Sequence, residues 1–358
     1  MELFLYIWTN LEYFELLNKN KLLSQWKKDR ELANFFMENF PGELAETISP
    51  QYEINFMSIR EIKKRLWNNA FDKISGIYYW SDNCEYLTPT KIEIEKAIEN
   101  FKEFNKNFPP HKVRTFVLVT PYVWDKMLSR LEEWLKYLND LKIKNPIEVI
   151  VNDFWVLNLI NKKYKKLNIC IGRLLHKQLK TPLIDTYWYE AHPSWKLIKN
   201  KKEEEKLALR EQIVKWQLKF YNSAEVGLDL FRWFLERFWI KRVAIDYMQN
   251  RKELFKNLEN QKENIWIDLY YPWALIFTWR LCDTSAIENP SRWYYATDDI
   301  CPRTCNRYDI FYKIKTTWYK MLQRWNAWYR SELNLEFLDD SFVKDDNNRL
   351  VFSPFVPV

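Results

Sequence analysis

Short runs of β-branched and aromatic residues recur along this chain, and amphipathic stretches separate most of them. Residues 3–8, 52–57, 76–80, 114–120, 147–152, 167–172, 242–246 and 265–270 read as strands that are apolar on both faces. Between them, residues 125–141 set Met127, Leu128, Leu131, Leu135 and Leu138 at helical spacing, and residues 158–166 make a shorter helix. Strands apolar on both faces and joined by helices belong to a parallel sheet that is covered on both sides. Eight such units predict an α/β fold, a (β/α)8 TIM-like barrel with a C-terminal cysteine-bearing extension. A doubly wound open sheet is the second architecture the pattern allows. With no internal repeat and no Gly/Ser linker, residues 1–332 are expected to form one barrel domain that includes a cysteine loop at 280–310. A helix over 311–330 and a polar tail, 333–358, complete the reading. Residues 200–219, rich in lysine and glutamate, read as a charged helix with a solvated face.

The cysteines carry the strongest chemical signal. Cys282 is followed after eighteen residues by Cys301, and three residues later by Cys305; Cys84 stands far upstream. Five cysteines, an odd number without framework spacing, suit the reducing cytoplasm better than an oxidising compartment. Cys84 follows the third predicted strand and Cys282 the eighth, so a barrel would bring both to its C-terminal rim, where such folds build their sites. Cys170 lies inside the sixth predicted strand and reads as a small buried hydrophobe. Thiolates gathered in an intracellular chain hold a metal or an iron–sulfur cluster, and four suffice for a 4Fe–4S cluster. Structural zinc also accepts four cysteines but usually shows two close ligand pairs. Here only Cys301 and Cys305 are close, which favours the cluster and leaves zinc, or no metal, as alternatives.

A second polar set closes two adjacent predicted strands: Asn152 and Asp153 after one, Arg173, His176 and Gln178 after the next. In a barrel these would face the mouth. Asp153 would orient a group or accept a proton, Arg173 would hold a carboxylate or phosphate, and Asn152 and Gln178 would contact substrate. The plainer alternative is that Asn152 and Asp153 cap the next helix. A G-x-S-x-G elbow and an H-E-x-x-H pair are missing, and the three histidines, His111, His176 and His192, are scattered. A formal charge of +7 permits an anionic partner such as RNA without requiring one. No apolar run approaches the ~20 residues needed to cross a membrane. The opening Met-Glu-Leu-Phe-Leu-Tyr-Ile reads as a first strand rather than a signal peptide.

One count is abnormal. The chain has 4 glycines and 19 tryptophans, where ordinary usage would give about 25 glycines. Trp239 stands between a helix-like segment and the strand 242–246, at the position where a left-handed residue, normally glycine, is expected. Trp124, Trp155 and Trp325 likewise stand beside strand ends or turns. The pattern is that of a gene in which UGA specifies glycine, translated in a code where it specifies tryptophan; the alternative is a truly tryptophan-rich protein.

The runs Val149-Ile-Val-Asn-Asp-Phe-Trp-Val-Leu and Ile171-Gly-Arg-Leu-Leu-His-Lys-Gln, with Arg280-Leu-Cys and the Cys301/Cys305 pair, resemble the collagenase-like peptidase family, family U-thirty-two. Its single-domain, UbiV-like members are the nearest in pattern, and the likeness runs from Gly76 to about Arg330. Where the family has glycine after Val-Asn-Asp-(aromatic), after Pro-Tyr-Val and before Asn, this chain has Trp155, Trp124 and Trp325. His176 stands where the family usually has asparagine. The resemblance implies that Cys84, Cys282, Cys301 and Cys305 bind a 4Fe–4S cluster. It also implies oxygen-independent hydroxylation of RNA or of an aromatic quinone precursor, with prephenate as a possible oxygen donor and a second family member as hetero-partner. The family's name carries a different activity, peptide hydrolysis, and a third role is that of a non-catalytic iron–sulfur subunit.

Overall fold

The computed structural model describes residues 1–7, 50–66, 74–106, 114–123, 125–141, 147–176, 228–248, 265–278, 282–287, 304–306, 310–313, 320–324, 326–336 and 340–354, with single positions between them such as 178 and 301. Its centre is a closed barrel of eight parallel strands. These are β1 (Glu2–Ile7), β2 (Ile74–Tyr79), β3 (Thr115–Val119), β4 (Glu148–Val151), β5 (Asn168–Ile171), β6 (Arg242–Asp246), β7 (Trp266–Tyr271) and, late in the chain, β12 (Arg349–Phe352). β12 closes the ring by pairing with β1 on one side and β7 on the other. The expected TIM-like fold is therefore present.

Alternation within the strands builds two cores. Leu3, Leu5 and Ile7 of β1, Val149 and Val151 of β4, and Leu350 and Phe352 of β12 point outward, into an apolar layer shared with the helices. Phe4, Tyr6, Tyr78, Ile150, Cys170, Tyr270 and Val351 point inward and fill the barrel. Both sets are buried, which is why the strands read as continuous apolar runs. The helical cover includes α1 (Pro50–Arg65), α2 (Lys91–Lys106), α3 (Asp125–Asp140), α4 (Phe154–Lys163) and α5 (Asp229–Arg237). α2 begins with a reciprocal cap: the Glu93 carboxylate accepts from the Thr90 amide at 2.8 Å, and the Thr90 hydroxyl accepts from the Glu93 amide at 3.3 Å.

Three expectations need correction. Residues 52–57 form no strand; they lie in α1, whose buried Ile54, Ser58, Ile59 and Ile62 recur at helical spacing. The aromatic and β-branched content of that run misled the strand assignment. The missing eighth strand is β12, inside the segment expected to be a polar tail, so the barrel extends past residue 332. The described residues of 311–330 form no helix either. They supply β9 (Ile310–Lys313), β10 (Lys320–Arg324) and β11 (Ala327–Ser331), which join β8 (Trp273–Thr278) in a four-stranded antiparallel sheet. Residues 200–219 fall almost wholly outside the described residues.

β8 starts one residue after β7, across the cis peptide Tyr271–Pro272, so the small sheet grows from the C-terminal end of the barrel. Trp273 and Leu275 of β8, Leu322 of β10 and Ala327 and Tyr329 of β11 pack into the same buried cluster as the barrel interior. The sheet is therefore a cap over the mouth. At the opposite end the interior is ionic but balanced. Arg349 clasps both Glu148 oxygens at 2.5 and 2.8 Å, and Arg242 donates to Asp268 at 2.7 Å. Tyr78 donates to the other Asp268 oxygen at 2.5 Å. Two guanidinium groups face two carboxylates, so each buried charge has a partner and hydrogen bonds, which burial demands.

Candidate metal centre and barrel mouth

Cys84 is delivered by the turn that leaves β2. The Ser81 hydroxyl accepts from the Asn83 amide at 3.3 Å and from the Cys84 amide at 3.2 Å, closing a short loop that folds Cys84 back over the barrel. Cys282 precedes the one-turn helix α6 (Asp283–Ala286), and its sulfur accepts from the Ser285 amide at 3.4 Å. Gln323 of β10 donates to Asp283, tying that turn to the capping sheet. Cys305 lies in a short 3-10 turn, Thr304–Asn306. Cys84, Cys282 and Cys305 are buried and Cys301 is half-buried, and all four are free thiols.

The first three belong to the same buried cluster as the barrel interior and cap. Burial pushes the Cys84 thiol well above its ordinary range, and Cys305, Cys301 and Cys282, close enough to act on it through space, push it further. Burial raises Cys282 to about 12, opposed by the Ser285 hydrogen bonds and reinforced by Cys301. Three segments distant in sequence thus bring Cys282, Cys301 and Cys305 within electrostatic reach of Cys84. Thiols held this high become thiolates only against a cation, and the N–H donor to the Cys282 sulfur is of the kind that tunes cluster ligands. The donor set fits a 4Fe–4S cluster. Among the described residues no three His, Cys, Asp or Glu side chains form a group for a single metal ion. Four cysteines are the donor number that a 4Fe–4S cluster or a structural zinc takes.

Beside the sulfurs lies a polar nest around Arg173, which is buried. Its Nε donates to Asp82 at 2.5 Å and its Nη1 to Asp246 at 2.6 Å, while its guanidinium carbon stands 4.3 Å from the centre of the Tyr270 ring. Burial lowers the Arg173 pKa, but the two carboxylates outweigh it and hold it well above the ordinary value. Burial raises Asp82 despite Arg173, with Asp246 adding to the rise. Asn83 reaches across to Asp82 at 2.6 Å and to the Tyr329 hydroxyl of the cap. Arg173 Nη2, the hydroxyls of Tyr6 and Tyr270, and the indole N–H of Trp273 are buried without a partner among the described residues. Each orphaned group costs about 1–3 kcal/mol, and all four are donors. Burial keeps the Tyr6 and Tyr270 hydroxyls protonated, raising both well above the usual phenol range.

The other predicted mouth residues take different roles. Asp153 caps α4, accepting from the amides of Trp155 at 2.7 Å and Val156 at 3.2 Å, which also starts that helix four residues before the expected position. Both bonds are those of the capping alternative. Asn152 is a tie between strands: its amide donates to the Thr120 carbonyl at 2.8 Å and its oxygen accepts from the Leu174 amide at 3.1 Å. Both of these side-chain bonds are to backbone groups. Gln178 brackets the backbone of Asp246, donating to its carbonyl at 2.8 Å and accepting from its amide at 2.9 Å, and so positions the Arg173 partner. His176 makes a 2.5 Å hydrogen bond with the Ala244 carbonyl. Cys170 is buried in β5, as expected, with its thiol 3.4 Å from Asp268. Asp82, Asp246, Tyr6, Tyr270 and Trp273 were missed by the sequence reading. Asp246 and Tyr270, each the last residue of a predicted strand, carried a positional signal. No family model, curated protein or solved structure matches this chain.

Proposed function

We propose that this chain is a 4Fe–4S barrel protein that takes part in oxygen-independent hydroxylation of RNA or of an aromatic quinone precursor. The observation that carries it is the meeting of Cys84, Cys282, Cys301 and Cys305 beside a buried, donor-rich mouth. Those cysteines would hold the cluster, which when bound supplies one-electron chemistry or a Lewis-acidic iron. Arg173, Tyr6, Tyr270 and Trp273 offer hydrogen bonds to an acceptor-rich ligand, and the cap formed by β8–β11 keeps water from it. A small carboxylate such as prephenate, the oxygen donor suggested by the resemblance, presents acceptors of that kind. Asp82 and Asp246 fix the Arg173 guanidinium so that Nη2 remains available.

The test is complementation without oxygen. Cells lacking the gene are supplied with the wild-type chain or with Cys84→Ser, and hydroxylated nucleosides and quinone precursors are measured. A hydroxylated product restored by the wild type and lost with Cys84→Ser is the expected result. Product formed only when a second family member is added makes this chain an iron–sulfur subunit. Peptide hydrolysis that survives Cys84→Ser would overturn the proposal in favour of a peptidase.

A further inference from the structure

Two non-glycine residues among those described have a positive φ, and both are tryptophan: Trp80 at 90° and Trp239 at 57°. A bulky residue in that region is an outlier, because its Cβ crowds the backbone. Tryptophan fills 19 of 358 positions, so finding it at both sites is not what chance provides. From this geometry we infer that positions 80 and 239 are glycine in the polypeptide the cell makes, encoded by a codon that specifies glycine there and tryptophan in the standard code.

Position 239 ends α5 in a complete Schellman motif. The Ile240 amide reaches back to the Leu235 carbonyl at 2.9 Å, and the amide of residue 239 to the Glu236 carbonyl at 3.0 Å. Leu235 and Ile240 both pack in the outer core, the apolar contact that accompanies this motif. Every part is in place except the residue in the left-handed position, where glycine is the common occupant. The Trp239 side chain gains nothing in exchange, being 91% exposed. Position 80 closes β2, with its amide on the Ile7 carbonyl at 2.9 Å. Its indole is buried, yet the indole N–H has no partner among the described residues, although buried tryptophans usually find one. Glycine would remove both the backbone strain and the orphaned donor.

The consequence reaches the mouth. Position 80 directs the chain into Ser81, Asp82, Asn83 and Cys84, so its positive φ aims both the Arg173 partner and a cluster cysteine. It is a positioning residue. Trp155 sets the limit of the inference: it is helical in α4, and its backbone has no need of glycine. Trp124 and Trp325 lie outside the described residues. The inference does not rest on the iron–sulfur reading, and either one stands if the other fails.

Peptide mass spectrometry of the protein isolated from the cells that encode it reads both positions directly. Glycine at 80 and 239 is the expected result; tryptophan at either overturns the inference. A second measurement compares the full chain with Trp239→Gly and Trp239→Ala, two truncations of one exposed side chain. Glycine is expected to raise the folded-to-unfolded ratio roughly 5- to 30-fold over tryptophan, and alanine, which keeps the Cβ, by clearly less. Equal effects would remove the backbone argument.

Discussion

Arg173 is the residue on which the mouth depends most. It neutralises two buried carboxylates from different strands' ends. Arg173→Met should destabilise the protein by about 3–5 kcal/mol, because it leaves buried charge uncompensated. Adding Asp82→Asn and Asp246→Asn should recover much of that loss in urea unfolding. Asp153 is predicted to behave differently: Asp153→Ala removes a helix cap and costs about 1 kcal/mol, with bound iron unchanged. Gly172 is constrained by contact rather than by φ. A Cβ there would lie 2.0 Å from Asn152 Oδ1, so Gly172→Ala should cost about 1–3 kcal/mol through displacement of the tie between β3 and β5. At this scale the sequence was half legible. Cysteine spacing announces a ligand set whatever the fold, whereas Asp82 and Asp246 look like ordinary loop and strand-end carboxylates. Their role depends on an arginine across the barrel, a non-local fact.

At the scale of elements, the outer strands and helices were readable where periodicity was long. α3, with Leu131, Trp134, Leu135 and Leu138 buried on one face, was placed within one residue of its observed end. β12 was illegible because it is four residues long and begins with Arg349, an inward-facing charge held by the Glu148 carboxylate and the Tyr78 hydroxyl across the barrel. The run β9–β11 was mistaken for a helix because antiparallel strands alternate in a way that a dense aromatic composition conceals. α1 failed in the opposite sense, its aromatic and β-branched residues suggesting a strand. The recovered role of β12 is testable. A chain ended at Asn348 loses the strand between β1 and β7, leaving two open edges. It should lose cooperative unfolding altogether, as judged by circular dichroism in urea.

The whole molecule is a barrel whose two ends differ in kind. One end is sealed by matched charges, Arg242 and Arg349 against Asp268 and Glu148. The other end gathers four sulfurs, a guanidinium with a free nitrogen and phenols with free hydroxyls under a small sheet. Among the described residues no helix is long and apolar enough to cross a membrane. This polarity explains why chain segments as distant as residues 84 and 305 must converge: the C-terminal rim is the one face to which every strand delivers a loop.

The central claim is that those four cysteines hold an iron–sulfur cluster, and iron with acid-labile sulfide per chain tests it most directly. The full chain, purified without oxygen, should contain about four of each. Cys84→Ser and Cys301→Ser should lose them, while Cys170→Ser keeps them and remains folded. Zinc in place of iron, or folded protein with no metal, would contradict the account.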